Sequence, residues 1–342
     1  MNPTTQLTFA LIGAGRIGAI HARNLAARSD ARLAWVADPS AAAAEALADG
    51  LPGSRPRACA DPYQAIDDPS VDAVVIASPT PSHVEFILAA ISKGKAVFCE
   101  KPVDLDLARA RACADSVAAR GGRVMIGFNR RFDPTFAQIQ RQARAGAIGR
   151  LEQVVIVSRD PAPPGADYIA TSGGIFRDMS IHDLDMARFL LGPINAVTAV
   201  GQNVAFPDIE AAGDVGGAML TLRADSGAIA TIVNSRRCAF GYDQRLEVFG
   251  AKGMLQARNQ APTSIVTTLA DSTDAGARFQ DFFLERYAQA YRAELDAFVD
   301  GLRSGRPLDP SLADGVSALE LADAAALALA EGRTVTLGSG TP

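Results

Sequence analysis

A glycine-rich turn near the N-terminus constrains the fold of this chain more than any other feature. Residues 13–18 read G-A-G-R-I-G, with an apolar run over 7–12 before them and an amphipathic stretch over 20–28 after them. This order is typical of a strand, a tight turn and the start of a helix, in which the glycines permit the turn, the approach of a pyrophosphate and the packing of helix on strand. Because a helix N-terminus binds phosphates, the pattern favours a dinucleotide site over a turn without a ligand. Its residues are Gly13, Gly15, Arg16, Ile17 and Gly18.

A carboxylate after the next predicted strand indicates which dinucleotide binds. The strand covers 32–37 and is followed by Asp38, about 20 residues after the last glycine of the motif, where a ribose-binding acid is expected. A carboxylate there accepts hydrogen bonds from the ribose hydroxyls and repels a 2′-phosphate, which favours NAD over NADP. The alternative is that Asp38, followed by Pro39 and Ser40, opens a turn or caps the next helix.

Short apolar segments alternate with helical patterns through the first third of the chain. Because strands that are apolar throughout are buried on both faces, they indicate a parallel sheet covered by helices, the doubly wound Rossmann fold of the α/β class. The predicted strands cover 7–12, 32–37, 71–77, 96–99 and 123–127.

The pattern changes after Phe132. A helix over 138–145 precedes five predicted strands, several of which are joined only by a turn and must therefore be antiparallel. These strands cover 151–158, 194–200, 216–223, 229–235 and 245–250. We expect an NAD-binding domain over 1–127 and a substrate-binding and oligomerisation domain over 128–342, an α+β domain with an open, mostly antiparallel sheet. Helices over 282–302 and 318–330 pack either on the second domain or back on the first.

Composition narrows the classes of partner. The chain has 342 residues, enough for two domains, and a net charge of −5 with no basic block, so neither nucleic acid nor an anionic membrane is an expected partner. The N-terminus over 1–7 lacks the basic region of a signal peptide, and no segment reads as a membrane span. The four cysteines form no C-x-x-C pair, which is consistent with a reducing cytoplasm.

Two loops follow predicted strands at the edge where a dinucleotide fold binds its cofactor. Lys101 precedes a proline, so its backbone is extended, and in a partly desolvated cleft it can hydrogen-bond a substrate hydroxyl. The alternative is a surface lysine paired with Glu100. His83 begins a helix and either packs or borders the nicotinamide, whereas His21 is expected to pack in the first helix. The loop residues predicted to contact the cofactor are Ser78, Pro79, Thr80, His83, Glu100 and Lys101.

An acid and an imidazole four residues apart provide the sharpest candidate for catalysis. Asp178 and His182 lie in a segment of helical period, so one helix face carries both. An imidazole held by a carboxylate is a general base for an alcohol proton, although the same pair also stabilises helices. A Zn²⁺ or Mn²⁺ shell of these two residues with Asp185 is a third interpretation. Because no second histidine or cysteine stands at ligand spacing nearby, we expect no metal.

Taken together, these motifs resemble those of the Gfo/Idh/MocA family of oxidoreductases. The resemblance rests on the glycine-rich turn, the Pro79 loop that ends in His83, Glu100-Lys101-Pro102 and the helix with Asp178 and His182, and it covers nearly the whole chain. It also includes 127–133, 158–161, 173–185, 242–253 and 283–294.

The resemblance implies roles for individual residues. Lys101, Asp178 and His182 would form the catalytic group, with His182 as the proton acceptor and Lys101 orienting the reacting hydroxyl. The residues implied to border a polyol pocket, besides the catalytic group, are Asn129, Arg130, Asp167, Tyr242 and Tyr291.

From the resemblance we expect an NAD-dependent dehydrogenase that oxidises a cyclic polyol, with myo-inositol converted to 2-keto-myo-inositol. The alternatives are an NAD- or NADP-dependent enzyme for another inositol isomer or a sugar, and a non-catalytic NAD-binding sensor. The intact catalytic residues favour an enzyme. Family members are often tetramers, so we also expect a homo-oligomer, with a tetramer as the specific prediction.

Overall fold

The N-terminal part of the chain alternates strands and helices. The fold is described from a computed structural model over residues 6–338. The prediction that the N-terminus over 1–7 is not a signal peptide therefore falls mostly outside the described residues. The elements are β1 (Leu7–Ile12), α1 (Arg16–Ala26), β2 (Ala31–Ala37), α2 (Ala41–Asp49), β3 (Arg57–Cys59), α3 (Pro62–Asp67), β4 (Ala73–Ile76), α4 (His83–Ser92), β5 (Ala96–Glu100), α5 (Leu107–Ala119) and β6 (Val124–Gly127).

The six strands form one parallel sheet in the order β3-β2-β1-β4-β5-β6. Every residue of β1, β4 and β6 is buried, because a parallel sheet is covered on both faces. The strand order reverses direction between β1 and β4, which is where such sheets bind ligands at the carboxyl ends of their strands. The predicted doubly wound parallel sheet is therefore confirmed.

The remaining elements begin at residue 134. They are α6 (Pro134–Arg144), β7 (Leu151–Arg159), α7 (Ala166–Thr171), α8 (Ile181–Leu191), β8 (Ile194–Gln202), α9 (Pro207–Ala211), β9 (Gly217–Ala224), β10 (Ile229–Ser235), β11 (Asp243–Gly250), β12 (Gly253–Ala257), β13 (Val266–Leu269), β14 (Ser272–Gly276), α10 (Phe283–Arg286), α11 (Ala288–Ser304), α12 (Leu312–Glu331) and β15 (Val335–Thr336).

A second sheet has seven strands in the order β12-β11-β7-β10-β9-β8-β15. All of its neighbouring strands are antiparallel except β7 and β10, so the prediction of an open, mostly antiparallel sheet is confirmed. One face of the sheet is apolar and packs against helices through Ile156, Leu222 and Ile232 on the strands and Phe136 and Met186 on α6 and α8.

The chain divides into two compact units. The first comprises Met1–Asn129 with Ala290–Leu319, and the second comprises Arg130–Gln289 with Glu320–Pro342. Most of α11 therefore belongs to the first unit, where the ring of Phe298 meets Phe9 and Phe98 edge-on at 6.3 and 5.7 Å between centroids. The roles predicted for 1–127 and 128–342 remain a prediction. Among residues 6–338, no helix is long and apolar enough to cross a membrane.

Candidate active site

Two glycines of the N-terminal motif are required by packing, and one leaves its backbone open. Gly13 has a φ of +100°, and a Cβ at this position would lie 2.5 Å from the carbonyl oxygen of Ala77. A Cβ on Gly18 would lie 1.9 Å from the carbonyl oxygen of Gly13, whereas a Cβ on Gly15 would meet nothing within 4 Å. Gly15 is exposed and precedes the first residue of α1. An open backbone at a helix N-terminus is the arrangement that a pyrophosphate requires, so these residues fit a dinucleotide.

The carboxylate of Asp38 connects the glycine-rich turn to the next turn of the chain. Its Oδ2 accepts a hydrogen bond of 2.8 Å from the backbone N–H of Ala14, and its Oδ1 accepts one of 2.9 Å from the N–H of Ser40. Ser40 itself caps α2 by accepting from the N–H of Ala43. Asp38 thus organises a turn, as one interpretation of the sequence proposed. Each carboxylate oxygen has a second lone pair, so Asp38 also retains the capacity to bind ribose hydroxyls.

His83 joins the loops that follow β4 and β5. It is buried at the start of α4, with Nδ1 at 2.7 Å from the carbonyl oxygen of Pro102 and Nε2 at 2.8 Å from that of Ser78. Burial lowers the pKa of His83, and the two carbonyl contacts act in the opposite direction. Because both ring nitrogens are used in this way, the role that the structure supports for His83 is to hold the two loops together.

The loop after β5 begins with a buried polar contact. Nε2 of His21 lies 2.7 Å from Oε1 of Glu100, and the His21 ring also meets Tyr291 edge-on, with 6.0 Å between centroids. Glu100 and Lys101 are half-buried, and Asn129, which follows β6, is buried. The structure therefore places Glu100 and Tyr291 around His21, a residue that sequence reasoning assigned only to packing.

In the second unit, Asp178 is held by two side chains that sequence reasoning missed. Its Oδ1 accepts a hydrogen bond of 2.7 Å from the hydroxyl of Tyr168, and its Oδ2 accepts one of 3.0 Å from Nη1 of Arg236. Tyr168 is exposed on α7, next to the predicted Asp167, which is also exposed, whereas Arg236 is only 1% exposed. The sequence signal that could have revealed Arg236 is the alternation of buried and exposed residues along β10. Arg236 lies two residues after Asn234 and four after Ile232, and all three are buried on the same face.

The helical segment with Asp178 and His182 is less regular than predicted. Residues 176–180 form a single wide π turn, and α8 begins directly after it at Ile181. Such turns are rare and occur frequently at functional sites. His182 is the second residue of α8 and is half-buried. Lys101 belongs to the first unit and Asp178 and His182 to the second, so their common catalytic role remains a prediction.

A buried polar network fixes the start of α8. The carboxylate of Asp183 forms an ion pair with Arg130 and accepts hydrogen bonds of 2.7 Å from Ser158 and 2.8 Å from Asn234. Arg130, which the resemblance assigned to a polyol pocket, is thus engaged within this network. Tyr242, assigned to the same pocket, is also buried, and burial raises its pKa well above the ordinary value.

Two further acids lie near these residues. Asp185, the third ligand of the metal shell considered above, forms an ion pair with Arg131, whose Nε lies 2.8 Å from Oδ2. This pairing does not favour the metal interpretation.

Burial and the charge of Asp178 raise the pKa of Asp160 to about 6, against the opposing effect of Arg236.

Comparison with known proteins identifies the family. The family profile described as "Oxidoreductase family, NAD-binding Rossmann fold" matches residues 7–128, and the "GFO/IDH/MocA C-terminal domain" profile matches residues 136–256. The chain is 47% identical over 331 residues to an inositol 2-dehydrogenase of Rhizobium meliloti strain 1021. This alignment covers 96% of this chain and 98% of the relative.

Solved structures give the same result. A myo-inositol dehydrogenase from Corynebacterium glutamicum has a TM-score of 0.94 and 49% identity over 98% of this chain and 100% of that one. A scyllo-inositol dehydrogenase from Lactobacillus casei with bound NAD(H) and scyllo-inositol has a TM-score of 0.89 and 30% identity over 97% of this chain and 99% of that one. The chain therefore belongs to the Gfo/Idh/MocA family of oxidoreductases, with an NAD-binding Rossmann fold in its N-terminal part.

Proposed function

We propose that this protein is an NAD-dependent dehydrogenase that oxidises myo-inositol to 2-keto-myo-inositol. The observation that carries the proposal is 47% identity with an inositol 2-dehydrogenase over nearly the whole of both chains. The arrangement of Asp178 supports it, because a carboxylate anchored by Tyr168 and Arg236 is fixed in place beside the π turn.

The first unit holds the cofactor in this proposal. The open backbone of Gly15 and the N-terminus of α1 bind the pyrophosphate, with Gly13, Arg16, Ile17 and Gly18 completing the turn. Asp38 binds the adenosine ribose. NAD supplies the acceptor of the substrate hydride when it is bound. The loops after β4 and β5 border the nicotinamide through Ser78, Pro79, Thr80, His83 and Glu100.

The proton leaves the substrate hydroxyl through His182. His182 is half-buried, and a neutral imidazole is suited to accept an alcohol proton. Asp178 orients the imidazole or binds a neighbouring hydroxyl, and Lys101 donates a hydrogen bond to the reacting oxygen. Further polyol contacts are proposed for Asn129, Arg130, Asp167, Tyr242 and Tyr291. Arg130 acts from within the network around Asp183, so its contribution is to hold α8 as well as to shape the pocket.

A second candidate substrate is scyllo-inositol. The observation that favours it is the Lactobacillus casei relative, whose structure holds both scyllo-inositol and NAD(H). The two isomers differ in the orientation of one hydroxyl, so the same proton acceptor serves either, and the walls of the pocket select between them.

We also propose a homo-oligomer, a tetramer, in a reducing cytoplasm. The second sheet exposes apolar side chains on its open face, with Val200, Met219 and Met254 each at least half exposed. Large exposed apolar patches mark interfaces. The four cysteines are free thiols, as a reducing compartment requires. Measurement of the mass in solution tests the assembly.

The test of function is the reduction of NAD⁺ or NADP⁺ by the purified protein, followed by absorbance with myo-inositol, scyllo-inositol, chiro-inositol, glucose and xylose. We expect NAD⁺ reduction with myo-inositol as the best substrate. The His182→Ala variant should lose about 10²- to 10⁴-fold in rate, with the dissociation constant of NAD⁺ nearly unchanged. Full turnover by this variant contradicts the proton-acceptor role, and NAD⁺ binding without turnover on any polyol favours a sensor.

A further inference from the structure

Three polar side chains meet beneath the loop that follows β5. One atom each of His21 on α1, Glu100 at the end of β5 and Glu294 on α11 lie within 4.8 Å of one another. His21 and Glu294 are fully buried, and the side chain of Glu100 is 12% exposed. All three belong to the first unit. The dehydrogenase reaction proposed above uses neither His21 nor Glu294.

Only some of the polar atoms in this group have a hydrogen-bond partner. Nε2 of His21 lies 2.7 Å from Oε1 of Glu100, but Nδ1 of His21 and both carboxylate oxygens of Glu294 are buried without a hydrogen-bond partner among the described residues. A buried carboxylate anion without a partner is costly. Burial and the charge of Glu100 raise the pKa of Glu294 well above its ordinary value.

The unpartnered atoms complement one another chemically. Nε2 of His21 faces a carboxylate oxygen of Glu100, and an imidazole that carries its hydrogen on this nitrogen can accept a hydrogen bond at Nδ1. A protonated Glu294 is a donor. No direct hydrogen bond joins Glu294 to His21, and the spacing within the group allows the proton to be shared through one bridging water.

Two further titratable groups, His83 and Cys99, interact with Glu100. Burial disfavours the charged form of both. Tyr291, one helical turn before Glu294, presents its ring edge-on to His21. The carboxyl group of Glu100 also packs closely against Gly127, because a Cβ on Gly127 would lie 3.1–3.2 Å from that carboxyl group.

We propose that His21, Glu100 and Glu294 form a buried proton-holding triad, in which Glu294 retains a proton that it shares with His21 and thereby fixes the position and charge of Glu100. Glu294 and His21 are positioning residues. Glu100 directly precedes Lys101, so loss of the shared proton adds a negative charge beside the residue that orients the substrate hydroxyl. This last consequence rests on the proposed dehydrogenase function, whereas the triad itself does not.

The first test measures the proton directly. We expect the infrared spectrum of the wild-type protein at pH 8 to contain the carbonyl stretch of a protonated carboxylic acid, and that band to be absent from Glu294→Gln. Asp300→Asn is the matched control, because it makes the same chemical change at an exposed position of α11 and should leave the band in place. Identical spectra for the wild type and Glu294→Gln at pH 8 overturn the proposal.

The second test measures stability against pH. A glutamate whose folded pKa is raised binds a proton in the native state that the unfolded chain has released, so the wild type loses stability as pH rises from the unfolded towards the folded pKa. The permanently neutral Glu294→Gln lacks this loss. The ratio of the two unfolding equilibrium constants should therefore change by up to about tenfold for each pH unit above about pH 5, until the pH reaches the folded pKa of Glu294. Parallel curves for the wild type and Glu294→Gln overturn the proposal, and Asp300→Asn should run parallel to the wild type.

The third test separates this proposal from the dehydrogenase function. With myo-inositol and NAD⁺, an alkaline transition in kcat/KM of the wild type should move by at least about one pH unit, or disappear, in Glu294→Gln. Coincident profiles overturn the link to Lys101, and absence of turnover in the wild type rejects the proposed function while the infrared and stability tests still stand. A stoichiometric divalent metal in the wild type that is lost in Glu294→Gln overturns the triad in favour of a metal site.

Discussion

Replacement of Arg236 by methionine tests whether the buried guanidinium holds the candidate catalytic acid. Arg236 contacts two carboxylates, Asp178 at 3.0 Å and Asp214 at 3.6 Å, and each acid side chain is 14% exposed. Asp214 in turn accepts a hydrogen bond of 3.0 Å from the N–H of Ile175, just before the π turn. Removal of one partner of a buried ion pair costs about 3–5 kcal/mol. Because both acids keep some solvent contact, we expect Arg236→Met to lose about 3 kcal/mol, at the lower end of this range.

The loss should be visible in stability and in turnover, but not in cofactor binding. For a unit of this size, about 3 kcal/mol corresponds to a fall in Tm of about 6–12 °C, measured by differential scanning calorimetry. A hydrogen bond to a charged group is worth about 1.5–3 kcal/mol, so a misplaced Asp178 should lower kcat about 10- to 100-fold. The dissociation constant of NAD⁺ should stay within about twofold, because the glycine-rich turn belongs to the first unit.

The neighbouring arginine provides the control. Arg237 is exposed, with its guanidinium 5.9 Å from the centre of the Phe206 ring, so Arg237→Met should change stability by no more than about 0.5 kcal/mol. Equal effects of the two substitutions, or a wild-type Tm and kcat for Arg236→Met, would show that Arg236 does not hold Asp178 in place.

Four further substitutions test the first unit and the dependence of stability on pH. Gly13→Ala should lower Tm by at least about 4 °C, because φ is positive and the new Cβ would lie 2.5 Å from a backbone oxygen. Gly15→Ala is the matched control for Tm, because a Cβ there meets nothing within 4 Å, but it should weaken NAD⁺ binding measured by calorimetry. Asp38→Ser should weaken NAD⁺ binding about 10- to 100-fold and permit NADP⁺ reduction, and unchanged preference would contradict the ribose contact. The pKa of Asp160 is raised to about 6, so its favourable contribution to stability is present at low pH and is lost as pH rises through about 6. The Tm of Asp160→Asn relative to the wild type should therefore increase between about pH 4 and pH 6 and then level off, and a constant difference would contradict the shift.

The sequence predicted the fold well wherever one periodicity dominated. Strand β1 and strand β10 have the predicted bounds, because apolar runs and strict alternation are local signals. The structure adds β3, which has only three residues, and the hairpin of β13 and β14, whose side chains are almost all exposed. Neither provides an apolar pattern to read. The predicted helix over 282–302 is divided at Tyr287 into α10 and α11, a break that helical period alone does not show.

The sequence motifs of the candidate site could be read from the chain, whereas the side chains that hold Asp178 in place could not. The glycine-rich turn is a local signal, and the structure explains Gly13 and Gly18 because a Cβ at these positions would lie 2.5 and 1.9 Å from backbone carbonyl oxygens. The partners of Asp178 are ten and 58 residues away along the chain, so helical spacing cannot reveal them. The π turn likewise depends on hydrogen bonds that no pattern of side chains specifies.

Long-range partners also decide what two similar acids do in this protein. Asp178 accepts hydrogen bonds from the guanidinium of Arg236 and the hydroxyl of Tyr168. Glu294 lies in a fully buried position near another carboxylate and an imidazole, and burial together with the charge of Glu100 raises its pKa. In the sequence each is an acid in a helical segment, and their surroundings come from other elements of the fold. A buried arginine beside Asp178 and a second acid beside Glu294 therefore give the two carboxyl groups different electrostatic surroundings, which helical spacing alone does not predict.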